Sequence, residues 1–244
     1  MCETPKPFPV MGLPVHLLQE YDRWLGNRLG QNLGCHVVTL NAEMVMQAEC
    51  NPALASSILQ AELVVPDGSG VILYLLLHGI RHQRCPGIEL AESLLQQAGE
   101  WGKSYPVFFY GGQPGIAQAA AKIWQEQYPK LAIAGIEDGY LSPEAEDKLK
   151  VTLAKEQPPL IFVGLGVPRQ ELWIAQNRHL CPRSLWIGVG GSFDIWAGVK
   201  SRAPVWLRNH HLEWLYRLYQ EPWRWRRMMA LPQFALKAIG QRFA

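Results

Sequence analysis

Short apolar runs alternate with longer stretches of helical periodicity along the first two thirds of this chain. CHVVTL (35–40), ELVVP (62–66), PVFFYG (106–111), LAIAGI (131–136), PLIFVGL (159–165) and SLWIGVG (184–190) are rich in β-branched and aromatic residues. They are too uniformly apolar to alternate, which predicts strands buried on both faces, as in a parallel sheet. Between them, GIAQAAAKIWQEQY (115–128) and SPEAEDKLKVTLAKE (142–156) repeat apolar residues at helical spacing. Ser142 is placed to cap the second of these helices, with Pro143 at its first position. The alternation predicts an α/β fold: a Rossmann-like, mainly parallel sheet with helices on both faces. After GVGG (188–191) the strand signals stop, and residues from about 203 onward read as helices interrupted at Pro222 and Pro232. The expected division is an α/β domain over residues 1–201 and a helical appendage over residues 202–244.

Charge changes the picture of that appendage. The formal net charge of the 244 residues is +2, but from Arg202 onward eight Lys/Arg face only Glu213 and Glu221, a local +6. Four of the ten tryptophans (206, 214, 223, 225) fall in the same stretch, which includes EPWRWRRMM (221–229). A basic, aromatic tail on a mildly acidic body implies an anionic partner, lipid or nucleic acid. The five cysteines (2, 35, 50, 85, 181) are scattered and form no CxxC pair. That argues against structural disulfides or a zinc site and fits a reducing cytoplasm. MCETPKPFPVMGLP lacks the apolar stretch of a signal peptide. The strongly apolar run VILYLLL (71–77) falls far short of the ~20 residues that span a bilayer. Nothing in the chain is expected to cross a membrane, and lying on one stays open.

Candidate chemistry gathers where the predicted strands end. Ligands of open parallel sheets bind beyond the carboxyl ends of the strands. Here those ends carry Thr39-Leu40-Asn41, Asp67-Gly68-Ser69-Gly70, Gly111-Gly112, Glu137 to Tyr140, Gly164 to Gly166 and Gly188 to Asp194. Single glycines of this sort serve tight turns, but the set together predicts a shared crevice. Glycine turns before helices suit phosphate groups, yet neither GxGxxG nor a P-loop is present. DxD, a common metal–diphosphate clamp, is missing too. His78 and His82 lack the HExxH carboxylate and read as surface residues, as do His210 and His211. Asp67, between an apolar strand and an apolar helix, has two readings that the pattern leaves open. It is a base whose pKa burial has raised, or it is a helix-capping aspartate.

TLNAE (39–43), PDGSGV (66–71), RCPGIEL (84–90), YGGQPG (110–115), GLGVPRQELWI (164–174), GVGGSFDIWAG (188–198) and RAPVWLRNHHLEWLYRLYQEPWRWRR (202–227) occur in this order. Together they resemble the WecG/TagA/CpsF family of bacterial glycosyltransferases, over residues 35 to 229. The resemblance implies inverting transfer of a hexosamine, of the N-acetylmannosamine kind, from a UDP-sugar to a sugar on undecaprenyl diphosphate. The product would enter a cell-surface polysaccharide or teichoic-acid-type polymer. It implies that Asp67 deprotonates the acceptor hydroxyl, with Asn41 and Thr39 beside it, and that Gln170 bonds the sugar or diphosphate. Tyr140 and Asp194 would face the uridine, with the Gly111-Gly112 turn also at the substrate. Arg84, Arg202, Arg217 and Arg224 would serve diphosphate groups. No cofactor is implied, and without DxD the leaving UDP would rest on helix N-termini and arginines, with no metal. The implied place is the cytoplasmic face of the cell membrane, held peripherally by the tail; a homo-oligomer stays open. A dehydrogenase on a similar sheet is disfavoured by the missing third glycine and by the absence of a ribose-binding acid after the first strand. A non-catalytic lipid or nucleic-acid module would not need Asn41, Asp67 and Gln170 at three strand ends, so no nucleic acid is expected.

Overall fold

The structure is a computed structural model that describes residues 5–210 and 212–243, the last two by backbone alone. Cys2 and His211 lie outside the described residues. The chain opens with a hairpin, β1 (Pro7–Val10) and β2 (Leu13–His16). Six parallel strands follow: β3 (Cys35–Leu40), β4 (Leu63–Pro66), β5 (Val107–Gly111), β6 (Ile133–Glu137), β7 (Leu160–Gly164) and β8 (Leu185–Gly188). They pair in the order β4-β3-β8-β7-β5-β6.

Every residue of β3, β4, β5, β7 and β8 is buried, because alternate side chains enter cores on opposite faces. On one face Val37, Val65, Phe109, Phe162 and Ile187 pack under helices Tyr21–Gly30, Gly87–Trp101 and Ile116–Gln127. On the other, Val38, Leu40 and Val64 pack under helices Ala42–Cys50, Pro52–Leu59 and Ser69–Leu77. Farther along that second face, Phe108, Tyr110, Ile161 and Val163 meet helices Pro143–Glu156 and Arg169–Asn177. The α/β class, the six strands and the helices on both faces agree with the sequence reading. So does the cap: the Ser142 hydroxyl accepts from the Ala145 N–H at 3.3 Å.

Two features differ from it. The β1–β2 hairpin was not expected, since Pro7, Pro9 and Pro14 suppress the strand signal. Its turn, Met11-Gly12, takes positive φ at both residues, as two-residue hairpin loops require. The hairpin protects the sheet edge: the buried His16 ring accepts, through Nδ1, the Val64 N–H at 2.9 Å. Burial lowers the His16 pKa, so the ring stays a neutral acceptor. The second difference is Pro232, which does not interrupt a helix. It lies in the first turn of helix Ala230–Phe243, where the N–H it lacks has no helical partner anyway. Pro222 does break the tail, opening a short 3₁₀ turn after helix Glu213–Gln220.

The C-terminal segment is not a free arm. Phe234 and Ala238 are fully buried in one cluster with Met44, Val71 and Leu75. Helix Val205–Asn209, helix Glu213–Gln220 and the turns that follow cross the carboxyl edge of the sheet before this last helix docks. Among the described residues, no helix is long and apolar enough to cross a membrane.

Candidate active site at the carboxyl edge of the sheet

A cavity of about 170 Å³ lies beyond the carboxyl ends of β4, β3, β8 and β7. Thr39, Asn41, Asp67 and Gln170 line it from the body, and Arg202, Arg217, Arg224 and Arg227 from the C-terminal segment. Asp67 follows β4 directly, and its N–H donates to the Leu40 carbonyl at 2.9 Å. That bond extends the β3–β4 ladder by one residue and fixes where the side chain leaves the sheet.

Asp67 does not cap the helix that follows it. The cap of helix Ser69–Leu77 is Gly68, with no side-chain hydrogen bond to the helix. Burial pushes the Asp67 carboxyl up to about 6. Arg217 and Arg84 pull the other way, Glu213 adds to the rise, and the Gly87 N–H lowers it. Gly87 opens the helix Gly87–Trp101 and must be glycine, because a Cβ there would stand 2.8 Å from the Thr39 side chain. The carboxyl therefore faces a helix N-terminus and two guanidinium groups, yet is desolvated enough to hold a proton near neutrality. Cys85, beside it, is pushed up to about 12 by burial and then by the Asp67 charge, so it stays a thiol.

Asn41 caps helix Ala42–Cys50: its Oδ1 accepts the Met44 N–H at 3.0 Å. Its carboxamide nitrogen is the part a ligand could use. Gln170 is almost fully buried and works as a staple. Its Oε1 accepts the N–H groups of Gly166 at 3.1 Å and Gly190 at 3.0 Å, and its Nε2 donates to Glu171 at 3.0 Å. The loops after β7 and β8 are thus tied together by one side chain. Glu171 is itself wholly buried and meets His36 Nε2 at 2.9 Å. The sequence pattern singled out neither His36 nor Glu171, although a histidine inside the apolar run CHVVTL is a signal that could have found the pair.

Glu213 was missed as well, and it organises the roof. It is buried, and its carboxylate meets Arg84 at 3.1 Å, Arg217 at 3.0 Å and Arg202 at 4.0 Å. Burial alone would raise its pKa, but Arg217, Arg84 and Arg202 outweigh burial and hold it below the usual carboxylate range. Arg84 enters through an adjoining recess of about 110 Å³ that also holds Asp67, Arg217, Arg224 and Arg227. Further pairs tie tail arginines down: Arg202 with Glu89 at 2.6 Å, Arg224 with Glu221 at 2.5 Å, Arg227 with Glu43 at 2.5 Å.

Four expected residues line neither this cavity nor the adjoining recess. Gly111 and Gly112 end β5, farther along the edge, where the Gly112 N–H donates to the Gly164 carbonyl at 3.0 Å. Tyr140 follows β6, lies 63% exposed, and its phenol accepts from Gln113 at 2.9 Å. Asp194 stands one step back, holding Lys200 at 3.0 Å, and Lys200 reaches the cavity wall. His78 and His82 are not bare surface residues. His78 stacks on Tyr74, and His82 Nε2 meets the Tyr21 hydroxyl at 2.8 Å. Among the described residues, no group of three His, Cys, Asp or Glu side chains is arranged to hold a metal ion.

Fold and site define an α/β protein with an acidic residue of raised pKa at the carboxyl edge of a parallel sheet, roofed by its own arginines. The chain belongs to the Glycosyl transferase WecG/TagA/CpsF family, which it matches over residues 8–244. It is similar to the N-acetylglucosaminyldiphosphoundecaprenol N-acetyl-beta-D-mannosaminyltransferase of Bacillus spizizenii, 39% identical over 212 residues, 86% of this chain and 81% of the relative. The Bacillus subtilis protein of the same name is 35% identical over 216 residues, 87% of this chain and 82% of the relative. The chain is a glycosyltransferase with the whole of the candidate site inside the family match.

Proposed function

We propose that this protein moves a hexosamine, of the N-acetylmannosamine kind, from UDP to a sugar carried on a polyprenyl diphosphate, with inversion. The observation that carries the reading is Asp67, a carboxyl tuned to about 6 and set among arginines at the mouth of the sheet. The two relatives' names supply the sugar and the acceptor class. In this reading the Asp67 carboxylate takes the proton of the acceptor hydroxyl. The oxygen bonds to the anomeric carbon as the bond from that carbon to the diphosphate breaks on the opposite face. UDP leaves with both electrons of that bond. A side-chain base of this kind contributes about 10²–10⁴-fold in rate.

The departing diphosphate would rest on Arg202, Arg217 and Arg224 together with the free N–H groups of helix N-termini. Those arginines are already assembled on Glu213 and Glu221, so little rearrangement is needed when charge develops. No metal is required for that role. Thr39 and the Asn41 carboxamide nitrogen would contact the sugar, and Gln170 would act by fixing the two loops that frame it. The uridine would extend along the edge toward Gly111, Gly112 and the open ring of Tyr140, with Asp194 acting through Lys200.

The test is product mass after incubation of a polyprenyl-diphosphate N-acetylglucosamine with a panel of UDP-hexosamines, with and without EDTA. One added N-acetylhexosamine, greatest with the manno epimer and unchanged by EDTA, is expected. Failure of every UDP-hexosamine to transfer would overturn the reading, and a requirement for added magnesium or manganese would overturn its metal-free form.

A further inference from the structure

An apolar groove of about 610 Å³ runs between helix Ser69–Leu77 and the C-terminal segment. Its walls include Leu73, Trp214, Leu218, Trp225, Met228 and Met229, and among the described residues the Ser69 hydroxyl is the one aliphatic polar group along it. Leu73, Trp225 and Met229 are 39%, 56% and 49% exposed, so the groove is an open trough of large apolar side chains. Leaving such surface wet costs about 25 cal/mol per Å², and a concave patch of this kind marks a binding surface. Met228 and Met229 give it walls that adapt to an irregular chain.

The groove is continuous with the site at one end and with an exposed aromatic surface at the other. Ser69, Trp214, Met228 and Leu231 line both the groove and the recess that holds Asp67, Arg84, Arg217, Arg224 and Arg227. Leu218 lines both the groove and the outer patch formed by Trp206, Leu207, Leu215 and Tyr219. Arginines within a few residues of a long apolar trough match one chemistry: an amphiphile with a diphosphate head and a branched hydrocarbon chain. An extended peptide would leave its backbone polar groups unpaired against these walls, a helical one would bring no diphosphate to the adjoining arginines, and a sugar would gain nothing from the apolar walls.

We propose that this groove holds the first isoprenoid units of the acceptor, with the acceptor diphosphate on Arg84 and Arg227 of the adjoining recess, leaving Arg202, Arg217 and Arg224 to the donor. The proposal rests on the polyprenyl-diphosphate reading above and adds where the chain lies. The enzyme then lifts the head of its substrate out of the lipid and guides the proximal chain along protein before it re-enters the membrane.

Direct binding tests this independently of transfer. Calorimetric titration of the intact chain with farnesyl diphosphate and with inorganic diphosphate should show the prenyl compound bound at least about tenfold more tightly, since each buried methylene is worth ~0.8 kcal/mol. In Leu73→Gln and Met229→Gln, two exposed positions whose substitution leaves the core intact, that ratio should collapse toward one. Equal affinity for the two compounds in the wild type, or a ratio that both variants retain, would overturn the groove. Farnesol at the same concentration should bind less tightly than farnesyl diphosphate; equal binding would show an apolar sink unconnected with the arginines and would also overturn it. A panel in which no UDP-hexosamine is transferred while the prenyl preference persists would sink the reaction and leave the groove standing.

Discussion

Asp67 shows how one residue's surroundings raise the pKa of a strand-end carboxylate. Its pKa rises from 3.8 to about 6 because burial outweighs Arg217 and Arg84. The folded state therefore holds the Asp67 proton more tightly than the unfolded chain does. The stability this confers is fully present below about pH 4 and is lost as pH rises through about 6. Asp67→Asn, which cannot ionise, removes that loss. At pH 8 the variant is expected to melt at or above the wild type, by at most about 3 kcal/mol of added stability, and the gap should close by pH 4. Calorimetric melting at both pH values checks this. An Asn variant clearly less stable at pH 8 would mean that the arginines, not burial, set the carboxyl. The sequence left base and cap open at this position; Gly68 occupies the cap of the helix that follows, and the base is the role proposed for Asp67.

Among the elements, the C-terminal segment departs most from what its composition suggests. A count of +6 in sequence predicts a cationic arm, but Arg202, Arg217, Arg224, Arg227 and Lys237 are paired with Glu89, Glu213, Glu221, Glu43 and Glu49. Three of those acids lie far away in the chain, so no local pattern announces the pairing. Arg224 and Arg227, three apart, both line the site, while Trp225 and Met229, four apart, both line the groove. Besides Arg226, which lies over the Trp225 ring, the outward side chains include three large aromatics, Trp206, Tyr219 and Trp223, exposed by 62%, 81% and 72%. If the protein sits on a membrane, these side chains rather than the net charge hold it there, as amphipathic interfacial elements do. Substituting Trp206, Tyr219 and Trp223 together by serine should cut co-sedimentation with liposomes by about tenfold or more. Salt should weaken binding only modestly. Undiminished co-sedimentation would refute the attachment. Deleting the whole segment would be a poor test, since removing Phe234 and Ala238 opens the core beneath Val71.

At the scale of the molecule, strand order explains which parts of the site could be read in advance. Thr39, Asn41 and Asp67 were found because polar residues after apolar runs stand out, Gln170 came from the family resemblance, and all four line one cavity. Gly111, Gly112 and Tyr140 share that local pattern but follow β5 and β6, which lie at the far edge of the sheet. Strand order depends on long-range pairing that periodicity does not encode. Glu213, Glu171 and His36 were missed for a related reason: their importance comes from partners 129 and 135 residues away. The hairpin that closes the opposite edge was hidden by its prolines. The resulting design is a parallel sheet, a buried carboxyl of raised pKa at its mouth, and a folded-over tail that brings both cations and an apolar groove to the same opening. Its central claim is that Asp67 is the group that makes the acceptor oxygen nucleophilic. Single-turnover transfer by wild type and Asp67→Asn, at saturating UDP-sugar and with donor affinity measured alongside, tests that most directly. The account predicts unchanged donor affinity, a rate lower by about 10²–10⁴-fold, and a wild-type kcat/KM that falls below about pH 6. Wild-type turnover in the Asn variant would contradict it.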